Sequence, residues 1–225
     1  MAGTGPQTRV GILGGTLDPI HVGHIEMALA AGKALGLSEV LVMPSRIPPH
    51  RPQSPAASMF HRFAMASLAV QDLDGWVVCD DELRAEGPSY TASTLDRLAQ
   101  QGLAPAQIFF ITGADAFAEI ATWHRYPDVL GLANFIVVSR PGMAATEVVD
   151  RIAPARAGLR SAPGTGAHRP SVFPVDAATP DVSSTEIRRR LRSGKSIGGM
   201  VPAAVERHIF RHGLYQELPD GRTSP

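Results

Sequence analysis

The chain has 225 residues, 44% of them hydrophobic, and 21 Lys and Arg against 21 Asp and Glu. That length fits one domain with a sizeable core, and the balanced charge gives no global field to draw in nucleic acid or an anionic membrane. No apolar run approaches the roughly 18 residues that a spanning helix needs.

In chain order, the first eight residues are Gly- and Thr-rich, lack the apolar stretch of a signal peptide, and read as a loose tail. Short apolar runs then alternate with helical patterns. Strands are expected at Val10–Leu13, Val40–Met43, Trp76–Cys79, Ile108–Thr112, Phe135–Ser139 and Val172–Val175. Helices are expected at Ile25–Leu35, Met59–Gln71, Thr91–Gln101, Ala116–Trp123, Ser184–Ser193 and Ala203–His212. The strand runs show no period-2 alternation, as expected for strands buried on both faces. The pattern predicts an α/β, Rossmann-like, doubly wound and mostly parallel sheet with helices on both faces and a short C-terminal helical part at 183–216. One domain over 9–216 is expected, with tails at 1–8 and 217–225. Pro44–Pro55 holds five prolines and reads as a long loop, and Ala153–Pro170 reads as a surface insertion. The only cysteine, Cys79, lies in an apolar run and reads as a small buried side chain. No disulfide can close within the chain, which fits a reducing cytoplasm. Whether copies associate as a homo-oligomer is left open by composition.

The most informative stretch is Gly14-Gly15-Thr16-Leu17-Asp18-Pro19-Ile20-His21-Val22-Gly23-His24. A glycine-rich turn between a strand and a helix N-terminus is an anion site, because free N–H groups and the helix dipole point the same way. Cations gain nothing from that end of a dipole, so His21 and His24 read as donors to a bound phosphate. A metal is the weaker reading, since nothing nearby completes three protein ligands. Ser183 and Glu186 fit a capping box. Ser184, Thr185 and Arg188 then gather hydroxyls and one guanidinium about a second anion position. Arg189, Arg190, Arg192 and Lys195 read as a solvated basic face. Ser193-Gly194-Lys195-Ser196 resembles the tail of a P-loop, but Arg189 stands where its glycine belongs, and no G-x-G-x-x-G occurs. Asp115, after Gly113-Ala114, suits ribose hydroxyls or a helix cap. Trp123 is either core or a flat face for a ring.

His21-Val22-Gly23-His24 resembles the H-x-G-H nucleotidyltransferase pattern, and Ser183–Arg188 resembles the second phosphate motif of that superfamily. Pro48-Pro49-His50-Arg51, Gly87–Thr91, Gly113-Ala114-Asp115 with Trp123, Ser139–Gly142 and His212–Tyr215 resemble the bacterial nicotinate mononucleotide adenylyltransferase family over nearly the whole chain. The resemblance implies adenylyl transfer from ATP to nicotinate mononucleotide, giving deamido-NAD and pyrophosphate. By that similarity Gly14, Gly15, Thr16, His21 and His24 hold the ATP phosphates, and Gly113 and Asp115 hold the adenosine ribose. Arg140, Ser184, Thr185 and Arg188 complete the ATP side. Thr91 and Trp123 hold the nicotinate ring, and Arg51 approaches the phosphates. Three departures stand out: Leu17 where the family usually has phenylalanine, Arg51 where lysine is common, and the long 153–170 insertion.

A phosphate monoester is already an anionic nucleophile, so direct in-line displacement is expected, with His21, His24 and Arg188 stabilising charge. Mg²⁺ is expected to ride mainly on the ATP phosphates, with no dedicated protein metal site. The rivals are a phosphopantetheine or nicotinamide mononucleotide acceptor, and a module that senses adenine nucleotides without turnover.

Overall fold

Six strands form one sheet in the order β3-β2-β1-β4-β5-β6. They are β1 (Val10–Gly15), β2 (Glu39–Pro44), β3 (Trp76–Val78), β4 (Ile108–Gly113), β5 (Asn134–Val138) and β6 (Val172–Val175). The order is doubly wound, with its reversal at β1 and β4. The computed structural model describes residues 8–49, 54–152 and 170–216. The expected insertion 153–170 lies outside them except at Pro170, as do both tails except Thr8. The helices among the described residues are α1 (Val22–Leu35), α2 (Met59–Val70), α3 (Asp81–Arg84), α4 (Thr91–Gln100), α5 (Ala114–Ala118), α6 (Ala145–Ile152), α7 (Ser184–Arg192) and α8 (Ala203–Arg211). None is long and apolar enough to cross a membrane.

The strands fall where the apolar runs predict them. The helices differ in three places. First, α1 begins at Val22, so His24 lies inside its first turn. Second, α6 and the single turn α3 are additions, at eight and four residues shorter than the window in which a 3.6-residue pattern is read. Third, the helix expected over Ala116–Trp123 is α5, starting at Ala114, followed by a 3₁₀ turn Ile120–Thr122. Trp123 leaves that turn in an extended conformation, with its ring edge-on to Phe110 and Phe135.

The chain forms two compact units. One comprises the residues up to Gly14, Met27–Leu41 and Tyr90–Thr179. Within it β1 pairs with β4, β4 with β5 and β5 with β6, all parallel. Every residue of β4 and β5 is buried, which explains their unbroken apolar runs. The two polar exceptions are both bonded: Thr112 Oγ1 donates to the Gly113 carbonyl, and the Asn134 amide nitrogen donates to the Ala106 and Ile108 carbonyls while its oxygen accepts from Ser171 N. Phe110, Phe117 and Phe135 meet at ring distances of 5.6 and 6.1 Å, and α6 closes the core with Val148 and Val149.

The other unit comprises Gly15–Glu26, Val42–Ser89 and the residues from Pro180 onward. Here α2 packs on α8 and β3, burying Met65, Ala66, Val205 and Ile209. Ile187 and Leu191 bury the apolar seam of α7.

Candidate active site

Gly14 follows the buried part of β1, and a side chain there meets the Phe110 ring at 3.3 Å. A side chain at that point requires the Phe110 ring to give by a few tenths of an ångström. Gly15, Thr16 and Leu17 follow, with Leu17 at φ 51, a left-handed conformation that leucine rarely adopts. The His21 ring is 3% exposed and stacks on His24 with centroids 3.7 Å apart. His21 N donates to His24 Nδ1 at 3.3 Å. Two early amides of α1 face protein carbonyls: Val22 N donates to Met200 O and His24 N to His21 O.

The start of α7 is brought to the same loop. Ser184 Oγ donates to Pro19 O at 2.9 Å, and Arg188 Nη1 donates to Asp18 O at 2.5 Å. Arg188 Nη2 reaches Thr185 Oγ1 at 3.4 Å. Thus His21, His24, Ser184, Thr185 and Arg188, far apart in sequence, gather around the backbone of Asp18–His21. The capping box is only half formed. Ser183 accepts from Glu186 N, but the Glu186 carboxylate turns to Arg189 and Arg190. Those two guanidiniums hold Glu186 well below the usual carboxylate range, down to about 2. They belong to a surface ion-pair cluster, while Arg188 points into the loop.

A second group of residues lies in the first-described unit. A side chain at Gly113 would collide with the Asp115 carboxylate and meet the Arg140 stem at 3.2 Å. Asp115 is exposed, with Arg140 Nε 3.9 Å from Oδ1. Arg140 is set by a tight turn with Met143. That turn is pinned by Asp176, which accepts from Ser139 Oγ at 2.6 Å and from Ala145 N at 2.8 Å. These hydrogen bonds, with that from Thr146, hold the Asp176 carboxyl below its ordinary range. Thr91 opens α4. The loop that follows Trp123 is tied to α4 by the Arg125–Asp96 ion pair, and to the residue before it by His124 stacking on Tyr90 at 4.3 Å. Trp123 is half-buried, so it is core on one edge and open on the other. Arg51 lies outside the described residues.

Sequence reasoning passed over the buried charges that hold the Gly14–His24 loop. Asp18 is 2% exposed; its carboxylate accepts from Ala56 N, Ala57 N and the Tyr215 hydroxyl. Arg62, 1% exposed, donates to the carbonyls of Thr16, Ser45, Arg46 and Ala57. Burial lowers the Arg62 pKa, and the charge of Asp18 opposes that shift. Burial, then Asp18, pushes the Tyr215 phenol far up. An arginine amid Phe60, Phe63 and Met65 was the available signal for Arg62: a charge on an apolar helix needs partners.

A glycine turn at a strand end, two histidines, and a helix N-terminus carrying Ser, Thr and Arg define a nucleotidyltransferase. The chain belongs to the cytidylyltransferase-like family, whose model matches residues 12–190. It is 38% identical to a Pseudomonas fluorescens protein named probable nicotinate-nucleotide adenylyltransferase, over 92% of this chain and 97% of that protein. It is 40% identical to a Shewanella putrefaciens protein of the same name, over 92% and 99% respectively. Identity at that level over almost the whole of both proteins places the chain among the nicotinate-nucleotide adenylyltransferases, as an enzyme. In fold it is similar to a Plasmodium falciparum nicotinic acid mononucleotide adenylyltransferase complexed with NaAD. That likeness has a TM-score of 0.70, 17% identity and coverage of 96% of this chain and 98% of the other.

Proposed function

We propose that this enzyme joins ATP and nicotinate mononucleotide, forming deamido-NAD and pyrophosphate, in the cytoplasm. The observation that carries the reading is the gathering of the stacked His21–His24 pair, Arg188 and the α7 N-terminus at one loop. Donors of this kind suit the charge that builds on phosphate oxygens during transfer.

A 5′-phosphate oxygen of the mononucleotide attacks the α-phosphorus of ATP. The bond from that phosphorus to the bridging oxygen breaks, and its electron pair leaves with pyrophosphate. No protein nucleophile takes part. His21, His24 and Arg188 stabilise the α- and β-phosphates; Gly14, Gly15, Thr16, Ser184 and Thr185 line the phosphate position. Gly113, Asp115 and Arg140 serve the adenosine end, and Thr91, Trp123 and Arg51 the mononucleotide. Mg²⁺ would be held mainly by the ATP phosphates and would supply charge neutralisation there. The donor set fits a substrate-borne ion. Asp18, the carboxylate in the phosphate loop, is engaged by two amides and a phenol. Among the described residues no group of three or more His, Cys, Asp or Glu is placed to hold a metal.

The test is pyrophosphate release from ATP and Mg²⁺ with nicotinate mononucleotide, nicotinamide mononucleotide or 4′-phosphopantetheine as acceptor. Nicotinate mononucleotide should give the highest kcat/KM. A higher value with either competitor overturns the assignment.

A further inference from the structure

Leu17 stands in the left-handed region with φ 51, two residues after the glycine pair and four before His21. A leucine held there relaxes unless its surroundings over-determine it. The fastenings lie on both sides of it. Upstream, the Thr16 carbonyl accepts from Arg62 Nη1 at 2.8 Å. Downstream, Asp18 Oδ1 accepts from Tyr215 Oη at 2.8 Å and from Ala57 N at 3.1 Å, and Oδ2 accepts from Ala56 N at 2.8 Å. The same Arg62 nitrogen reaches Ser45 O at 2.6 Å, and Ser45 N in turn donates to Gly15 O at 2.8 Å. Tyr215 ends the His212-Gly213-Leu214-Tyr215 segment, to which the proposed reaction gives no task. Gly213 and Tyr215 both have positive φ, at 60 and 65, a turn that directs the phenol inward to a site where it is 9% exposed.

We propose that Tyr215 and Arg62 are positioning residues for adenylyl transfer, clamping the backbone on either side of Leu17 so that Gly15–His21 keeps the shape that receives the ATP phosphates. This rests on the reading of that loop given under Proposed function. Neither residue touches substrate. Tyr215 acts through the Asp18 carboxylate, and Arg62 acts through the Thr16 carbonyl. Deleting the phenolic hydroxyl leaves Asp18 Oδ1 with one amide donor, and a buried carboxylate short of donors moves or recruits water. Either response shifts the backbone next to Leu17. Burial and the neighbouring Asp18 charge keep the phenol protonated, so it remains a donor throughout the working pH range.

The experiment uses the full chain carrying Tyr215→Phe, with Arg62→Lys as the second variant should the first fail to fold. Circular dichroism and thermal unfolding report folding. Calorimetry without acceptor gives the ATP Kd, and pyrophosphate release at about 10 °C below the variant's Tm gives kcat and both KM values. A positioning role predicts kcat lowered about tenfold or more, or ATP Kd raised about tenfold, with the KM for nicotinate mononucleotide within about twofold. A merely stabilising contact predicts a lower Tm with kcat and ATP Kd within about twofold of wild type, and that result overturns the proposal. Wild-type protein that binds ATP but releases no pyrophosphate with the mononucleotide overturns the reaction instead, and the variant's ATP Kd still decides the positioning role. Wild-type protein that binds no ATP overturns both.

Discussion

His61 Nδ1 on α2 stands 3.1 Å from His208 Nε2 on α8. One ring must donate and the other accept, so the contact needs at least the accepting ring neutral. The His212 ring lies tilted beside both, with centroids 4.9 and 4.5 Å away. Burial, then the neighbouring His212, lowers the pKa of His61 and of His208; His61 and Arg211 add to the shift at His208. The folded protein therefore binds these protons less readily than the unfolded chain does. The pair's contribution to stability is complete above the unfolded histidine pKa, about 6.5, and is lost as pH falls from there through the folded values. Wild-type Tm should drop between about pH 7.5 and 5.5, and His208→Gln should flatten that slope. Parallel Tm–pH curves for the two proteins contradict this.

His24→Ala should remain folded and lose on the order of 10²–10³ in kcat, the usual effect of removing one preorganised donor. Pyrophosphate release at saturating ATP measures it. Near wild-type turnover removes His24 from the charge-stabilising set.

Trp123→Ala should raise the KM for nicotinate mononucleotide about tenfold while leaving that for ATP within about twofold. Its Tm should also fall, because one ring edge packs on Phe110 and Phe135. Equal rises in both KM values mark the ring as core alone.

Asp18→Ala strands Tyr215 and two backbone amides and removes the carboxylate that lies 3.7 Å from Arg188 Nη1. Removing one member of a buried charged network costs about 3–5 kcal/mol. Urea unfolding followed by tryptophan fluorescence should show a midpoint lowered by that energy divided by the m-value, with the m-value itself unchanged.

Gly113→Ala forces Asp115 and Arg140 to shift. The expected outcome is a raised ATP KM with little change in the mononucleotide KM. An unchanged ATP KM separates the β4 end from the adenosine position.

The strands were readable because a strand buried on both faces leaves an unbroken apolar run, as in Ile108–Thr112. Helix ends read less well. Val22-Gly23-His24 carries no propensity that favours helix, and its start is set by the distant Met200 carbonyl. Ser184, Thr185 and Arg188 were readable because a helix N-terminus dictates which spacings share a face. Asp18, Arg62 and Tyr215 were not, because each is explained only by a partner far along the chain. The Asp18–Tyr215 pair spans 197 positions. Glu186 misled in the other direction: it has the capping-box spacing, but two arginines outcompete the backbone amide for its oxygens.

That same span has a consequence for biosynthesis. The Gly14–His24 loop is fastened in part by the Tyr215 hydroxyl, which enters the chain 197 positions after Asp18. A growing chain still attached to the ribosome holds every residue assigned to ATP well before it can fix the loop that presents them. A chain interrupted at Gly213 should therefore carry the residues assigned to ATP with the loop unfastened on its Tyr215 side.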